Sequence, residues 1–209
     1  MDYLVHIAIF IGIYSILALS LNLVVGFTGL LSVTQAAFYG IGAYVTAILL
    51  TTFGVNFFSA ILIGMAITGI ISLAIGYVLF KFSGDYFALG SFGFNIIVYS
   101  IMLNWQSLTR GPLGIPGINK PHLLGIDFGN NYYFLILVAI FAVAIYFLSD
   151  FITKTSFGRV LKAIREDEKA IQVFGYNTLF FKLVIFVIGA MIASVAGAFY
   201  ASYITYVDP

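Results

Sequence analysis

Side chains that could do chemistry are few in this sequence, and most of them lie in one segment. The stretch TSFGRVLKAIREDEKAIQVFG places Arg165, Glu166, Asp167 and Glu168 in a row, with further basic residues on both sides. Such mixed charge suits either the surface of a lipid bilayer or a docking surface for a soluble protein. Because an anionic leaflet repels acidic groups, three consecutive carboxylates favour docking to a protein.

Nothing in the chain predicts a catalytic or cofactor site. The 209 residues include no cysteine, which excludes disulfides, thiolate nucleophiles and cysteine-based metal centres. The two histidines, His6 and His122, are far apart in sequence, and no phosphate-binding loop of the form GxxxxGK followed by Ser or Thr occurs. Nucleic-acid binding needs a clustered basic surface, and the net charge of +1 does not indicate one. We therefore expect no enzymatic activity, no cofactor and no nucleic-acid partner.

A second group of polar residues lies within an apolar region, in NLVVGFTGLLSVTQAAFYGIGAY. Asn22, Ser32 and Gln35 are its candidate functional residues, and glycines surround them. Polar side chains at membrane depth usually face the bundle interior or a water-filled path. A glycine break would also leave a helix N-terminus inside the membrane, where it favours negative charge. The alternative is that these small and polar residues only pack helices together.

These residues must be positioned by membrane-spanning helices. The sequence is 62% hydrophobic and only 8% charged, and no Asp, Glu, Lys or Arg occurs from Tyr3 to Phe80. A soluble domain has about 25% charged residues, whereas about 20 apolar residues cross a bilayer as a helix. We predict an all-α polytopic transmembrane bundle forming a single domain, residues 1–209. Its six predicted spans are 4–25, 30–51, 57–80, 86–104, 132–149 and 183–206.

The basic residues predict the orientation of the bundle. Six of the nine Lys and Arg residues lie between residues 154 and 182, which places segment 150–182 in the cytoplasm by the positive-inside rule. Counting back through the predicted spans puts Lys81 on the same side and Arg110 and Lys120 outside. Both termini are then external, and residues 26–29 form a connection on the cytoplasmic side.

Helical periodicity adds two local predictions. In the cytoplasmic segment one amphipathic helix is predicted, with Ser156 as its N-cap and Gly175 at its C-terminal stop. Its apolar face consists of Phe157, Val160, Leu161, Ile164, Ile171 and Phe174. In the last span, small residues recur every four positions at Gly189, Ala193, Gly197 and Ala201. This pattern allows helices to approach closely.

Three stretches, taken in order, resemble a known family. They are LNLVVGFTGLLSVTQAAFYGIGAYVTAIL, KFSGDYFALGSFGFNIIVYSIMLNWQSLTRGPLGIPGI, and TSFGRVLKAIREDEKAIQVFGYN with the following KLVIFVIGAMIASVAGAFYA. From about residue 21 to residue 201, the chain resembles the LivM-type permease subunit of bacterial branched-chain amino-acid ABC importers. The resemblance implies a multi-pass pore subunit of a bacterial or archaeal inner membrane that moves hydrophobic amino acids inward.

The resemblance also implies partners. These are a second, homologous permease, cytoplasmic ATPase subunits and an external substrate-binding protein that faces the GPLGIPGI stretch. Segment 150–182 would couple the ATPase to the bundle, through Gly158, Arg165, Glu166, Asp167, Glu168 and Gly175. Family members normally continue beyond the point where this chain stops. We therefore expect that this chain is truncated at its C-terminus.

Two other functions stay open on the sequence. A related importer for urea, short amides or another small polar solute would share the features described above. A stand-alone secondary transporter or channel is the alternative from a different class. Such proteins often carry an intramembrane carboxylate or proton relay, and the predicted spans contain none.

Overall fold

The computed structural model describes residues 2–29, 31–82, 84–123 and 126–209, and most of them are helical. The helices are α1 (Asp2–Leu21), α2 (Gln35–Thr52), α3 (Phe57–Leu79), α4 (Asp85–Asn104), α5 (Gln106–Thr109), α6 (Asn131–Lys154), α7 (Ser156–Glu166), α8 (Glu168–Val173) and α9 (Thr178–Ile204). Two-residue strands β1 (Ile115–Pro116) and β4 (Tyr206–Val207) pair antiparallel, as do β2 (His122–Leu123) and β3 (Ile126–Asp127). The all-α prediction is confirmed.

Six helices in the described part of the chain are long and apolar enough to cross a membrane, as predicted. They are Tyr3–Gly26, Gln35–Thr52, Phe57–Leu79, Asp85–Asn104, Asn131–Lys154 and Thr178–Ile204. The first of them continues from α1 into a π-helix, Asn22–Gly26. Helices form here because in an apolar surrounding each backbone N–H and C=O must be bonded within its own segment.

The last helix, α9, is the centre of the bundle. It packs against α1, α2 and α3, while α6 packs mainly along α1 and also contacts α9, with the ring centroids of Phe141 and Phe199 5.0 Å apart, and α4 contacts α2. Aromatic rings fill the space between these helices: the ring centroids of Phe38 and Phe186, and those of Phe57 and Phe199, are each 5.5 Å apart. All four rings are buried.

The predicted start of the second span is wrong by five residues. α2 begins at Gln35 rather than at residue 30, because Gly29 takes a left-handed conformation and residues 31–33 are not helical. Ser32 therefore lies before the helix. It does not share a helical face with Ala36 and Gly40, as a continuous span would require.

Segment 150–182 also differs from its prediction. α6 continues to Lys154 and α9 begins at Thr178, so both helices extend about five residues into segment 150–182. The charges that ended the predicted spans are neutralised at the helix ends. Lys154 pairs with Asp150 at 2.7 Å, one turn away on α6, and Lys182 pairs with Glu168 at 2.5 Å. The charged residues thus lie within the ends of the helices, which continue past the limits of the predicted spans.

The single amphipathic helix predicted between Ser156 and Gly175 is two helices. Asp167, with φ −150° and ψ 97°, separates α7 from α8. The N-cap of α7 is Thr155 rather than Ser156, whose hydroxyl instead accepts a hydrogen bond from Arg159 at 2.8 Å. Gly175 follows the end of α8 with φ +84°, as a helix stop requires.

Contacts between residues far apart in sequence show which loops and termini lie at the same end of the bundle. At one end the side chain of Arg165 reaches the carbonyl of Gly26. At the opposite end His6 Nδ1 lies 2.5 Å from the Tyr203 hydroxyl, and β1 pairs with β4. Residues 26–29 and 150–182 therefore share one end and the termini share the other, as the predicted alternation requires.

Candidate functional site

The first spanning helix ends in an irregular segment inside the bundle. After the π-helix the chain reaches Gly29, whose φ of +70° favours glycine, and α2 starts only at Gln35. Gln35 packs beside Gly189, eleven residues into α9. At 1.5 Å per residue this is about 17 Å along α9. We call Gly29 and residues 31–34 the interruption, and it runs from the end of the bundle, where Gly29 lies beside Arg165, to the depth of Gln35.

Two polar side chains of α4 bond the backbone of the interruption. Ser91 Oγ accepts from the N–H of Val33 at 3.1 Å, and Asn95 Nδ2 donates to the Val33 carbonyl at 2.7 Å. Asn95 Oδ1 also accepts from the N–H of Ala37, in the first turn of α2, at 3.0 Å. Non-helical backbone at membrane depth is tolerated only where protein or water satisfies its polar groups. Ser91 and Asn95 supply those groups here.

Segment 150–182 contacts the same region through α7. Arg165 Nη1 donates to the carbonyl of Gly26 at 2.6 Å, and a Cβ added at Gly29 would lie 2.9 Å from Arg165 Cγ. The ammonium of Lys162 lies 5.6 Å from the ring centroid of Phe27. Both cations meet the C-terminal end of the first spanning helix, where free carbonyls and the helix dipole favour positive charge.

The three acidic residues predicted to dock have three different environments. Glu166 is exposed at the end of α7 and bonds to no other described residue. Asp167 caps α8, because its carboxylate accepts from the N–H of Ala170 at 3.0 Å. Glu168 accepts from the Thr178 hydroxyl at 3.0 Å and pairs with Lys182. A partner can therefore reach Glu166 without breaking a contact seen here.

The two predicted coupling glycines lie at bends of the segment. Gly158 is buried at the corner between α6 and α7, where an added Cβ would collide with the backbone of Thr153. Gly175 closes α8: its N–H donates to the carbonyl of Gln172 at 2.9 Å, and the next N–H donates to Ile171 at 3.4 Å. Both glycines shape the path of the chain.

The end of α8 presents apolar side chains to the surroundings. Val173 is 86% exposed and Phe174 is 77% exposed, and we call this pair the apolar tip. Phe174 was predicted on the buried face of a continuous helix. That placement is wrong because the break at Asp167 ends the helical period on which it depended. Sequence reasoning missed the tip for the same reason.

The three predicted path residues do not line one cavity. Asn22 is exposed in a groove of about 540 Å³ between α1 and α6. Ser32 is buried, with its hydroxyl 2.9 Å from that of Thr34. Gln35 is 4% exposed, and neither amide atom has a hydrogen-bonding partner among the described residues. Ser32 and Gln35 belong to the region of the interruption, whereas Asn22 faces outward.

The small residues of α9 lie at its helix contacts. Gly189, Ala193, Gly197 and Ala201 are all buried. A Cβ on Gly197 would collide with the carbonyl of Tyr39, and one on Gly189 would lie 3.2 Å from Gln35 Nε2. α9 and α2 therefore approach backbone to backbone, which positions the start of α2 and the interruption.

Six apolar helices, one of them ending in an irregular segment within the bundle, define a multi-pass α-helical membrane protein. The family described as "Branched-chain amino acid transport system / permease component" matches residues 3–209, and the chain belongs to this family. The family and the apolar helices together indicate a multi-pass protein of the inner membrane.

Curated relatives agree with this assignment. The chain is 33% identical to the high-affinity branched-chain amino acid transport system permease protein LivM of Salmonella typhimurium, and 34% identical to LivM of Escherichia coli. Each match covers 98% of this chain and 54% of the relative. The probable branched-chain amino acid transport permease protein LivM of Methanocaldococcus jannaschii is 24% identical over 97% of this chain and 68% of the relative. The chain thus spans about half the length of the two bacterial relatives, and no solved structure matches it significantly.

Proposed function

We propose that this chain is the membrane permease subunit of an ATP-driven importer, in which soluble ATPase subunits act on segment 150–182. The observation that carries the proposal is the family match across residues 3–209, combined with an exposed segment between two spanning helices. The whole of residues 1–209 acts as one transmembrane domain. ATP-driven closure of the ATPase displaces the segment and rocks the bundle between inward-open and outward-open states.

The contact with the ATPase is made by the exposed part of the segment. Val173 and Phe174 offer a large apolar contact of the kind that dominates binding energy in protein interfaces. Glu166 adds an accessible carboxylate, which contributes to orientation and association rate. These side chains are held in place by the turns and contacts of Gly158, Asp167, Glu168 and Gly175. Arg165 instead faces the bundle.

The opposite end of the bundle receives the external substrate-binding protein. The GPLGIPGI stretch, residues 111–118, begins at a turn in which Gly111 has a φ of +57° and Arg110, just before it, a φ of +60°. Strand β1 of this stretch pairs with β4, which follows the end of α9. A surface fixed in this way contacts a partner at a small entropic cost. A second, homologous permease completes the path across the membrane.

The solute is a branched-chain or other hydrophobic amino acid. The relatives are named for transport of branched-chain amino acids. In the six spanning helices described, Asp, Glu, Lys and Arg occur only within five residues of a helix end. The zwitterion therefore meets hydroxyls, amides and helix ends, Ser32 and Gln35 among them, and binds weakly before release. Specificity comes from the external binding protein.

Reconstitution tests this function. The protein, taken at the length its gene encodes, is assembled with its partner subunits in liposomes that enclose ATP, with binding protein outside. Radiolabelled L-leucine is expected to accumulate only when ATP is hydrolysed, and urea is the matched control solute. Leucine uptake that does not need ATP would favour a stand-alone transporter, and ATP-dependent uptake of urea instead of leucine would reassign the substrate.

A further inference from the structure

Arg165 joins the cytoplasmic segment to the interruption, which is a role beyond docking. Its guanidinium donates to the Gly26 carbonyl at 2.6 Å, and its aliphatic part fills the space beside Gly29 that a Cβ would need. α7, which carries Arg165, is itself held at the bundle by the stacked rings of Phe157 and Phe181, whose centroids are 5.3 Å apart. A displacement of α7 therefore moves the group that bonds Gly26.

The region of the interruption is held from two sides by side chains. Arg165 bonds the chain just before it, and Asn95 of α4 bonds the backbone of Val33 and Ala37. None of these bonds belongs to a helix ladder, so they can break without unfolding a helix. The region can thus rearrange while the spanning helices stay intact.

The side chain of Gln35 is a buried polar group next to the interruption. It is 4% exposed at the first position of α2, and neither of its amide atoms has a hydrogen-bonding partner among the described residues. Because buried polar groups are normally hydrogen-bonded, this amide is available to bond other groups when the region rearranges.

We propose that Arg165 is a positioning residue that transmits movement of the cytoplasmic segment to the interruption. With α7 seated, Arg165 holds Gly26 and Gly29 in the arrangement seen here. When the ATPase displaces α7, Arg165 releases Gly26, the interruption rearranges, and Gln35 gains partners. This inference rests on the proposed function, because the ATPase supplies the displacement.

The test measures leucine transported per ATP hydrolysed in the reconstituted importer. Arg165→Ala is expected to retain the ATPase subunits and ATP hydrolysis while the ratio falls at least tenfold. Arg165→Lys is expected to recover part of the ratio, since it keeps a cation beside Gly26. Arg159→Ala is the matched control: Arg159 is exposed on the same helix, bonds only Lys154 and Ser156 among the described residues, and should leave the ratio unchanged.

A second measurement follows the interruption directly. Leu31 is 66% exposed and residues 1–209 contain no cysteine, so Leu31→Cys provides a single labelling site within them. Its reaction rate with a water-soluble maleimide is expected to change when a non-hydrolysable ATP analogue is bound, and to stop changing when Arg165→Ala is added.

Three outcomes would overturn the inference. A native leucine-to-ATP ratio in Arg165→Ala excludes transmission through this residue. Loss of the ATPase subunits from Arg165→Ala makes Arg165 a docking residue, and the proposed function stands. Absence of ATP-driven transport by the native importer overturns the inference together with the proposed function.

Discussion

The carboxylate of Glu168 lies 2.5 Å from the ammonium of Lys182, which ties the start of α8 to the first turns of α9. The two side chains differ in exposure: that of Lys182 is 10% exposed and that of Glu168 is 39% exposed. Removal of the carboxylate would leave a nearly buried cation, whereas removal of the cation would leave a carboxylate that water can reach. The pair is therefore asymmetric.

Glu168→Ala is expected to destabilise the protein more than Lys182→Met. The first change leaves the Lys182 ammonium unpaired and should lower the free energy of unfolding by about 2 kcal/mol, less than the ~3–5 kcal/mol of a fully buried pair because Glu168 is partly exposed. The second keeps the aliphatic stem and should cost less than about 1 kcal/mol. Thermal unfolding in one detergent compares the two variants.

The pair of Asp150 and Lys154 provides the control for this prediction. The Lys154 side chain is 75% exposed, so water screens the pair and Lys154→Ala should leave the unfolding temperature nearly unchanged. Equal losses in Lys154→Ala and Glu168→Ala would contradict the asymmetry.

Asn95→Ala is expected to loosen the start of α2. The change removes the bond to the Val33 carbonyl and the acceptor for the Ala37 N–H, and leaves two non-ladder backbone groups without their protein partner, the second of them partly buried. A loss of about 1–3 kcal/mol follows, measured by thermal unfolding. Asn104→Ala is the control, because the Asn104 amide bonds the Ser100 carbonyl one turn back in an exposed position. A similar loss in both variants would mean that Asn95 does not stabilise the interruption.

The membrane spans were predictable because they are recognised by their apolar composition, which is a property of the local sequence alone. The interruption was only partly predictable. Glycines at positions 26 and 29 marked a break, but its length depends on Ser91 and Asn95, which are about sixty residues away in sequence. Two polar residues four apart in a largely apolar span were the available signal, and they predict a polar contact without identifying its partner.

The structure of segment 150–182 was predictable in type but not in detail. Its charges and apolar spacing indicated an amphipathic helix, and Gly175 was recognised as a stop. From sequence alone, Asp167 could lie inside one long helix or cap the start of a second one. In the structure it caps α8, and Glu168 of α8 is held by its pair with Lys182 of α9. Because α8 depends on these tertiary contacts, the exposure of Phe174 could not follow from periodicity.

Gly197→Ala is expected to separate α2 from α9. The added methyl would meet the backbone of Tyr39 and Ala43, which cannot move aside as a side chain can. The cost should lie at or above the upper end of the about 1–3 kcal/mol typical of overpacking. Expression level and unfolding temperature report it.

Gly93→Ala is the matched control for this change. Gly93 also lies within a spanning helix, but nothing lies within 4 Å of a Cβ added there. Since alanine favours a helix over glycine by up to about 1 kcal/mol, Gly93→Ala should be neutral or stabilising. Destabilisation by both variants would show that small residues matter throughout the bundle and not specifically at the contact of α2 with α9.

Phe174→Ala is expected to weaken binding of the ATPase subunits at least tenfold. The side chain is 77% exposed beside Val173, and truncating a central aromatic contact in an interface often costs 2 kcal/mol or more. Glu166→Ala should have a smaller effect, and one that disappears at high salt, because Glu166 is an exposed charge. Affinity is measured by titrating purified ATPase against the permease in detergent.

Phe147→Ala controls for loss of exposed aromatic surface in general. Phe147 is 63% exposed on α6, within a membrane-spanning helix, and its truncation should leave ATPase affinity unchanged. The competing explanation is that the apolar tip rests in the bilayer surface. In that case Phe174→Ala would bind the ATPase normally, and the fluorescence of Phe174→Trp in vesicles would be quenched by brominated lipid. Protection of that tryptophan by added ATPase, without quenching by lipid, would instead place the tip in the protein interface.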